Sequence, residues 1–420
     1  MKNKDFYNDN YNSNNNRNIY SRSNRIERER AIQDISSSSA KAEERARAHA
    51  RRNKGRSGQS TGSSNRRPSN REIYSRKRKY KKRRILLTII SIILISVLAT
   101  GGFIYLKFKK ILNSANYIDD GSAEIGTLPD EMNGELAYEN GLLHDPKVLN
   151  IMLFGSDNES RGDSVGGSDS MILVSLDTRR NTIKLTSIMR DLWLKIANGH
   201  GKHKLNYAYT VGQEALAVKT IENNFGIKID RFVTVDFTRF VAIVDSLGGI
   251  DLDITGEEAE TINRFCRIEG MKVDKELEEV DGVHHLCGVQ ALNHARDRDT
   301  SGYDFGRTQR QRNVFSAMML KVKSAGVTQL TSFASQTFSN ITTNFKRSEI
   351  TKFLTRATKY FSYSTAQYRV PQNDEYTDEV IEEQMVLLLK NLSSTKEKLA
   401  NFVYEDSYAN LPKNTKSKQR

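Results

Sequence analysis

Residues Ile85–Leu106 read ILLTIISIILISVLATGGFIYL, 22 residues without a charge. A helix needs roughly 20 such residues to cross the hydrocarbon core of a bilayer. A buried core helix is the alternative, but soluble helices seldom stay apolar around the whole circumference for so long. The run is too long, and starts too late, for a cleaved signal peptide. It is therefore predicted to be a transmembrane helix. Residues 71–84 carry nine Lys and Arg and end in Lys81-Lys82-Arg83-Arg84, whereas the other flank carries Lys107, Lys109 and Lys110. Excess positive charge stays in the cytoplasm. The pattern predicts a single-pass protein of the cell membrane, N-terminus cytoplasmic, with residues 107–420 extracytoplasmic.

Charge follows the same division. The chain carries +14 overall, yet residues 1–84 hold 25 Lys and Arg against 8 Asp and Glu, so the remainder sums to −3. The basic character belongs to the tail, and no nucleic acid is expected as partner of the exported part. Residues 1–84, rich in Asn, Ser, Gly, Arg and Lys, hold too little apolar surface to offset chain entropy and are read as a disordered cytoplasmic tail. The end of that tail is read as touching anionic lipid. The only cysteines, Cys266 and Cys287, lie in the exported part, where a disulfide and two unpaired thiols are both open readings.

In the exported part, 107–145 reads as a polar connector, 146–400 as a catalytic domain and 401–420 as a polar tail. Val148–Phe154 and Met171–Leu176 are short continuous apolar runs, as in strands covered on both faces. Thr182–Ser187 alternates, and a turn at Asp177–Asn181 joins it to the second run as a hairpin. Asn206–Phe225 reads as a helix stopped by Gly226, Phe232–Phe237 as a strand, Phe240–Leu247 as a helix and Asp251–Ile254 as a short strand. Helices follow over Gly256–Arg267, Gly288–Arg298 and Phe305–Ala325. Residues 328–394 read as mostly helical, with one strand near Gln367–Val370. Strands alternating with helices predict an α/β fold, three layers around a mixed central sheet.

Three segments concentrate polar groups beyond what a core needs. Gly155-Ser156-Asp157 follows the first strand, and Asp169 opens the second. Two carboxylates at neighbouring strand ends can share a hard cation, and Mg²⁺, which keeps waters and takes phosphate oxygens, suits so few ligands. Ordinary turn carboxylates would look the same. Ser187-Ile188-Met189-Arg190-Asp191 places an Arg–Asp pair after a strand, which is either a local ion pair or part of a site. His294-Ala295-Arg296-Asp297-Arg298-Asp299 leads into Asp304-Phe305-Gly306-Arg307-Thr308-Gln309-Arg310-Gln311. Such a run is either a solvated helix end or a set of guanidiniums aimed at one anion.

GSDNE…GGSDSMILVSLD, TSIMRD, KLNYAY, LGGIDLDI and HARDRDTSGYDFGRTQRQR, in that order over about residues 147–325, together resemble the LytR–CpsA–Psr family of membrane-anchored cell-envelope phosphotransferases. The resemblance implies a transferase that moves a glycopolymer (teichoic acid, capsule or another wall polysaccharide) from an undecaprenyl-pyrophosphate carrier to peptidoglycan, forming a phosphodiester. Carried over by motif, Asp157 and Asp169 would hold Mg²⁺. Arg190, Arg296, Arg298 and Arg307 would cradle the phosphates with support from Gln311, and the lipid would occupy an apolar tunnel. Asp191 and Asp304 are candidates, by position only, for the base that takes the acceptor proton. Gly167 stands where the family usually has Arg, which removes one phosphate contact or passes it to Arg161. Met189 stands where Pro is usual. A lipid-pyrophosphate hydrolase with the same site is the alternative enzyme, and a membrane-bound transcriptional regulator the non-enzymatic one. Outward placement of every polar cluster argues against the regulator.

Overall fold

The computed structural model describes Leu106, residues 109–156 and residues 166–411. The basic tail, the apolar run apart from Leu106, Asp157, Arg161 and residues 412–420 lie outside the described residues. Among those described, no helix is long and apolar enough to cross a membrane.

The centre of the molecule is a seven-stranded mixed sheet. Its strands are β1 (Asn116–Tyr117), β2 (Val148–Ser156), β3 (Ser168–Asp177), β4 (Thr182–Ile188), β5 (Arg231–Asp236), β6 (Thr342–Thr343) and β7 (Ser364–Val370). Across the sheet the order is β1-β6-β5-β2-β3-β4-β7. β2 pairs antiparallel with β3, from Val148↔Asp177 to Ser156↔Ser168, and β3 antiparallel with β4. β5 runs parallel to β2, and β7 parallel to β4. The turn between β3 and β4 forms where the sequence predicts it. Asn181 takes φ 54°, and the Asp177 carboxylate accepts the Arg179 and Arg180 backbone N–H groups at 3.0 Å each.

Among the described residues, eight helices of nine residues or more pack on the sheet or beside it: α1 (Leu205–Phe225), α2 (Phe237–Ser246), α3 (Gly256–Ile268), α4 (Gly288–Arg296), α5 (Tyr303–Ser324), α6 (Val327–Ser339), α7 (Arg347–Thr355) and α8 (Leu392–Tyr404). Alternation along the strands sends residues to two cores. Met152, Phe154, Met171 and Leu173 meet Tyr209, Leu216 and Phe225 of α1 and Leu399 and Val403 of α8. Leu149, Ile172, Val174 and Leu176 meet Ile243, Met319, Phe338 and Ile350 from α2, α5, α6 and α7. This burial on both faces explains why β2 and β3 read as continuous apolar runs. A third core binds α3, α4 and α5 to a two-stranded ribbon.

Several elements depart from the sequence reading. α2 begins at Phe237 rather than Phe240 because Asp236 caps it, accepting the Arg239 backbone N–H at 2.8 Å. Ile250–Ile254 does not join the central sheet; it pairs with Gly282–Leu286, whose His284 and His285 disguise its strand pattern. Residues 328–394 are not mostly helical. Tyr376–Ile381 and Gln384–Leu389 form a hairpin whose turn residues, Glu382 and Glu383, take positive φ without Gly or Asn to signal it. Leu112, Leu128, Leu136 and Leu143 of the stretch read as a polar connector are buried. Beyond residue 400, Val403 and Tyr404 are fully buried. Cys266 and Cys287 are both free, so no disulfide joins α3 to the start of α4; the Cys266 thiol sits in the third core and takes a hydrogen bond from Asn293 at 3.3 Å.

Candidate functional site

The polar segments singled out in the sequence converge at the ends of β2, β3 and β4. Asp169 lies one residue into β3, beside the end of β2, through the Ser156↔Ser168 pair. β4 ends at Ile188, and buried Met189 carries the chain to Arg190 and Asp191. From the other side comes the connection between α4 and α5. Here Asp297 accepts the backbone N–H of Asp299 at 2.8 Å, while buried Arg310 donates to the carbonyls of Asp297 at 2.7 Å and Ser301 at 3.3 Å. Gly302, at φ 89°, starts α5, and a Cβ on Gly306 would lie 2.4 Å from the Ser301 carbonyl oxygen. The two glycines let the chain enter α5 tightly, which places Arg298 and Arg307 side by side.

The result is an interleaved set of charges. Arg190 is ion-paired to Asp169, and its Nε lies 3.4 Å from Asp191. Lys204 holds the other oxygen of Asp191 at 2.9 Å. Asp304 lies 3.2 Å from Arg307 and 3.5 Å from Arg298. Arg307 is only 2% exposed. Burial, followed by the neighbouring Arg190 and Arg298, pulls its guanidinium pKa down to about 10, so it remains charged at neutral pH. Burial also acts against the charge on Arg190, but Asp169, Asp191 and Asp304 outweigh it and the pKa rises. The Nε atoms of Arg190 and Arg307 are both buried without a hydrogen-bond partner among the described residues. Buried cations with unused donors are costly alone and favourable around an anion.

Not every sequence candidate joins this set. Arg296 lies 3.5 Å from Glu269 and stacks on the Phe237 ring with its guanidinium carbon 5.0 Å from the ring centre. Gln311 donates to the Ala295 carbonyl at 3.3 Å. Both line an apolar cavity of about 260 Å³ between the sheet and α2, α4, α5 and α6. One face of α5 links the two regions: Arg307 in the charge cluster, then Gln311, Val314 and Met318 along the cavity wall. Lys204 was not singled out in the sequence, although it opens the KLNYAY motif; only the fold brings it to Asp191. Among the described residues no group of three His, Cys, Asp or Glu side chains could hold a metal. Of the Asp157–Asp169 pair, Asp169 is described and engaged by Arg190, and Asp157 lies outside the described residues.

Residues 111–401 match the LytR_cpsA_psr family model. The chain is 32% identical over 279 residues to the polyisoprenyl-teichoic acid–peptidoglycan teichoic acid transferase TagV of Bacillus subtilis (strain 168), covering 65% of this chain and 66% of the relative. It thus spans just under two thirds of that relative's length. It is 30% identical over 242 residues to TagU, a transferase of the same description, from Bacillus mycoides (strain KBAB4), covering 57% of this chain and 72% of the relative. Among solved structures it is similar to protein gbs0355 from Streptococcus agalactiae, with a TM-score of 0.52 and 26% identity over 61% of this chain and 88% of that one. TagT bound to LIIa-WTA has the same fold, with a TM-score of 0.51 and 24% identity over 64% of this chain and 97% of that one. The match over more than half of its length makes the chain a member of the LytR_cpsA_psr family.

Proposed function

We propose that this protein is a phosphotransferase that moves a glycopolymer from a polyprenyl-pyrophosphate carrier, undecaprenyl pyrophosphate in the cell, to a hydroxyl of peptidoglycan. The observation that carries the reading is the close set of half-buried Arg190 and buried Arg307, whose buried Nε atoms make no hydrogen bond among the described residues, with Arg307 joined by one helix face to an apolar cavity. A pyrophosphate fits the first region and a lipid tail the second. The transferase names of the curated relatives support the same chemistry.

In the reaction the acceptor oxygen forms a bond to the phosphorus that bears the polymer. The bridging P–O bond breaks, and lipid monophosphate leaves with the electron pair. Charge builds on the leaving and equatorial oxygens, which Arg190, Arg298 and Arg307 would stabilise. Arg296 and Gln311, at the cavity wall, hold the boundary between phosphate and lipid. The acceptor proton passes to a carboxylate, Asp191 or Asp304. A phosphate-bound Mg²⁺ needs only one or two protein carboxylates; Asp169, at the start of β3, would supply one and Asp157, by its motif, a second, and the ion would neutralise phosphate oxygens.

The test is transfer from a defined polyprenyl-pyrophosphate-linked donor to soluble peptidoglycan fragments. Arg190→Lys and Arg307→Lys are each expected to slow transfer on the order of a hundredfold, since an ammonium cannot make two parallel hydrogen bonds to phosphate. Melting temperatures should stay near that of the unaltered protein. Near-normal rates in both variants would reduce the cluster to a set of surface ion pairs. Release of lipid phosphate without transfer would identify a hydrolase, and undiminished transfer in excess chelator would remove the metal.

A further inference from the structure

A second cavity, of about 200 Å³, lies on the opposite face of the sheet at the same strand end, and its walls are polar. The register makes the placement definite. Gly155 and Val235 are paired neighbours on β2 and β5, as are Ser156 and Asp236. Gly155 and Val235 line the apolar cavity, and Ser156 and Asp236 line the polar one. Successive residues of a strand face opposite ways. The last turn of the backbone pleat in β2 therefore separates an apolar chamber from a polar one.

The polar chamber holds Glu214, 5% exposed, which comes from α1 just after the helix breaks at Gly212 and Gln213. One oxygen of Glu214 accepts hydrogen bonds from Thr234 at 2.7 Å and Tyr209 at 3.2 Å. Burial, and then the Glu214 carboxylate, push the Tyr209 phenol well above its ordinary range, so it stays a donor. The second oxygen of Glu214 has no hydrogen-bond partner, and no cation pairs with the side chain, among the described residues. Arg239, which also lines the chamber, is paired with Asp236 at 2.8 Å. A buried carboxylate left half-satisfied in a roomy polar cavity calls for donors from outside the fold.

In-line displacement at phosphorus requires the entering and leaving oxygens on opposite sides. With the lipid in the apolar chamber, an acceptor entering from the other face of β2 would meet that requirement. We propose that the chamber around Glu214 is the acceptor subsite, binding a saccharide of the peptidoglycan glycan through its hydroxyl groups, with Glu214 accepting from them. The direction of approach and the choice of a peptidoglycan saccharide rest on the transferase reading above; the binding of hydroxyl donors at Glu214 does not.

A soluble disaccharide fragment of peptidoglycan is titrated into the full chain by calorimetry. The fragment is expected to bind the unaltered protein, and Glu214→Gln is expected to weaken binding about tenfold or more, the loss typical of a hydrogen bond to a charged group. Asn116→Leu, which also lines the chamber and has no hydrogen bond to Glu214, should repeat the effect without touching the Glu214 network. In turnover, both variants should raise the KM for the acceptor and leave the KM for the lipid-linked donor unchanged. Unchanged fragment affinity in folded Glu214→Gln overturns the proposal, as does Glu214-dependent binding of Mg²⁺ in place of the fragment. Fragment binding with no transfer by the unaltered protein would instead sink the transferase reading and leave the subsite standing.

Discussion

His294 stands one helical position from the cavity-lining Ala295 and is 2% exposed, with Nδ1 unpartnered among the described residues. Burial, and then the Arg310 charge, lower its pKa to about 4. The imidazole is therefore neutral in the fold, whereas in the unfolded chain it titrates near 6.5. The unfolded state binds the proton more readily, so stability is full above about pH 6.5 and is lost as pH falls from there toward 4. Between pH 7.5 and 5 this single group should cost on the order of 2 kcal/mol. Urea unfolding at the two pH values measures it, and His294→Gln should flatten the difference. Equal pH slopes in the two proteins would show that the ring titrates alike in the native and unfolded states. The arginines of the site pose the opposite case at the same scale. Sequence places Arg296, Arg298 and Arg307 close together along the chain and Arg190 in a separate motif far upstream. It does not show that Arg296 faces Glu269 and Phe237 while the other three share Asp304 and its neighbours.

At the scale of elements, α5 does most to organise the site. Its N-terminal glycines allow the tight entry that brings Arg298 and Arg307 to the shared Asp304, and its middle turns form a cavity wall. Arg312 on the same helix is buried, reaches back to the Ser187 hydroxyl at 2.5 Å, and so ties α5 to β4 just before Arg190. Met318→Trp should fill the apolar cavity without breaking these ties. Binding of a polyprenyl pyrophosphate should weaken at least tenfold while the melting temperature changes little; unchanged binding would place the lipid elsewhere. α8 acts on the other face. The Tyr404 hydroxyl accepts from Asn150 at 3.0 Å and donates to the Leu143 carbonyl at 3.0 Å, and Asn150 in turn accepts from Ser175 at 2.7 Å. Removing the hydroxyl leaves buried groups unpaired, so Tyr404→Phe should cost about 1–3 kcal/mol in denaturant unfolding. A loss below a few tenths would mean the C-terminal helix adds only apolar area.

At the scale of the whole molecule, we propose from the run Ile85–Leu106 and its flanking charge that the tail is cytoplasmic and the domain beyond it exported. Protease added to intact protoplasts should digest residues beyond 110 and spare residues 1–84; the reverse pattern would invert the topology. The cores of two strands, Val148–Phe154 and Met171–Leu176, the turn at Asp177–Asn181 and the membership of a family were all legible in the chain. Each depends on short-range pattern: doubly buried apolar runs, or residues at fixed spacing. The hairpin at 376–389 was not legible, because its turn uses two glutamates where Asn or Gly would have marked it. Nor was the burial of Tyr404, which depends on Leu143 and Asn150 more than 250 positions earlier. The sequence by itself determined which residue types meet at the ends of β2, β3 and β4, since motif order and strand ends are local properties. Only the tertiary structure decided which guanidiniums share a carboxylate, and that an apolar and a polar chamber lie back to back across β2. Those depend on crossover connections and strand register, where a shift of one residue would turn every side chain to the other face.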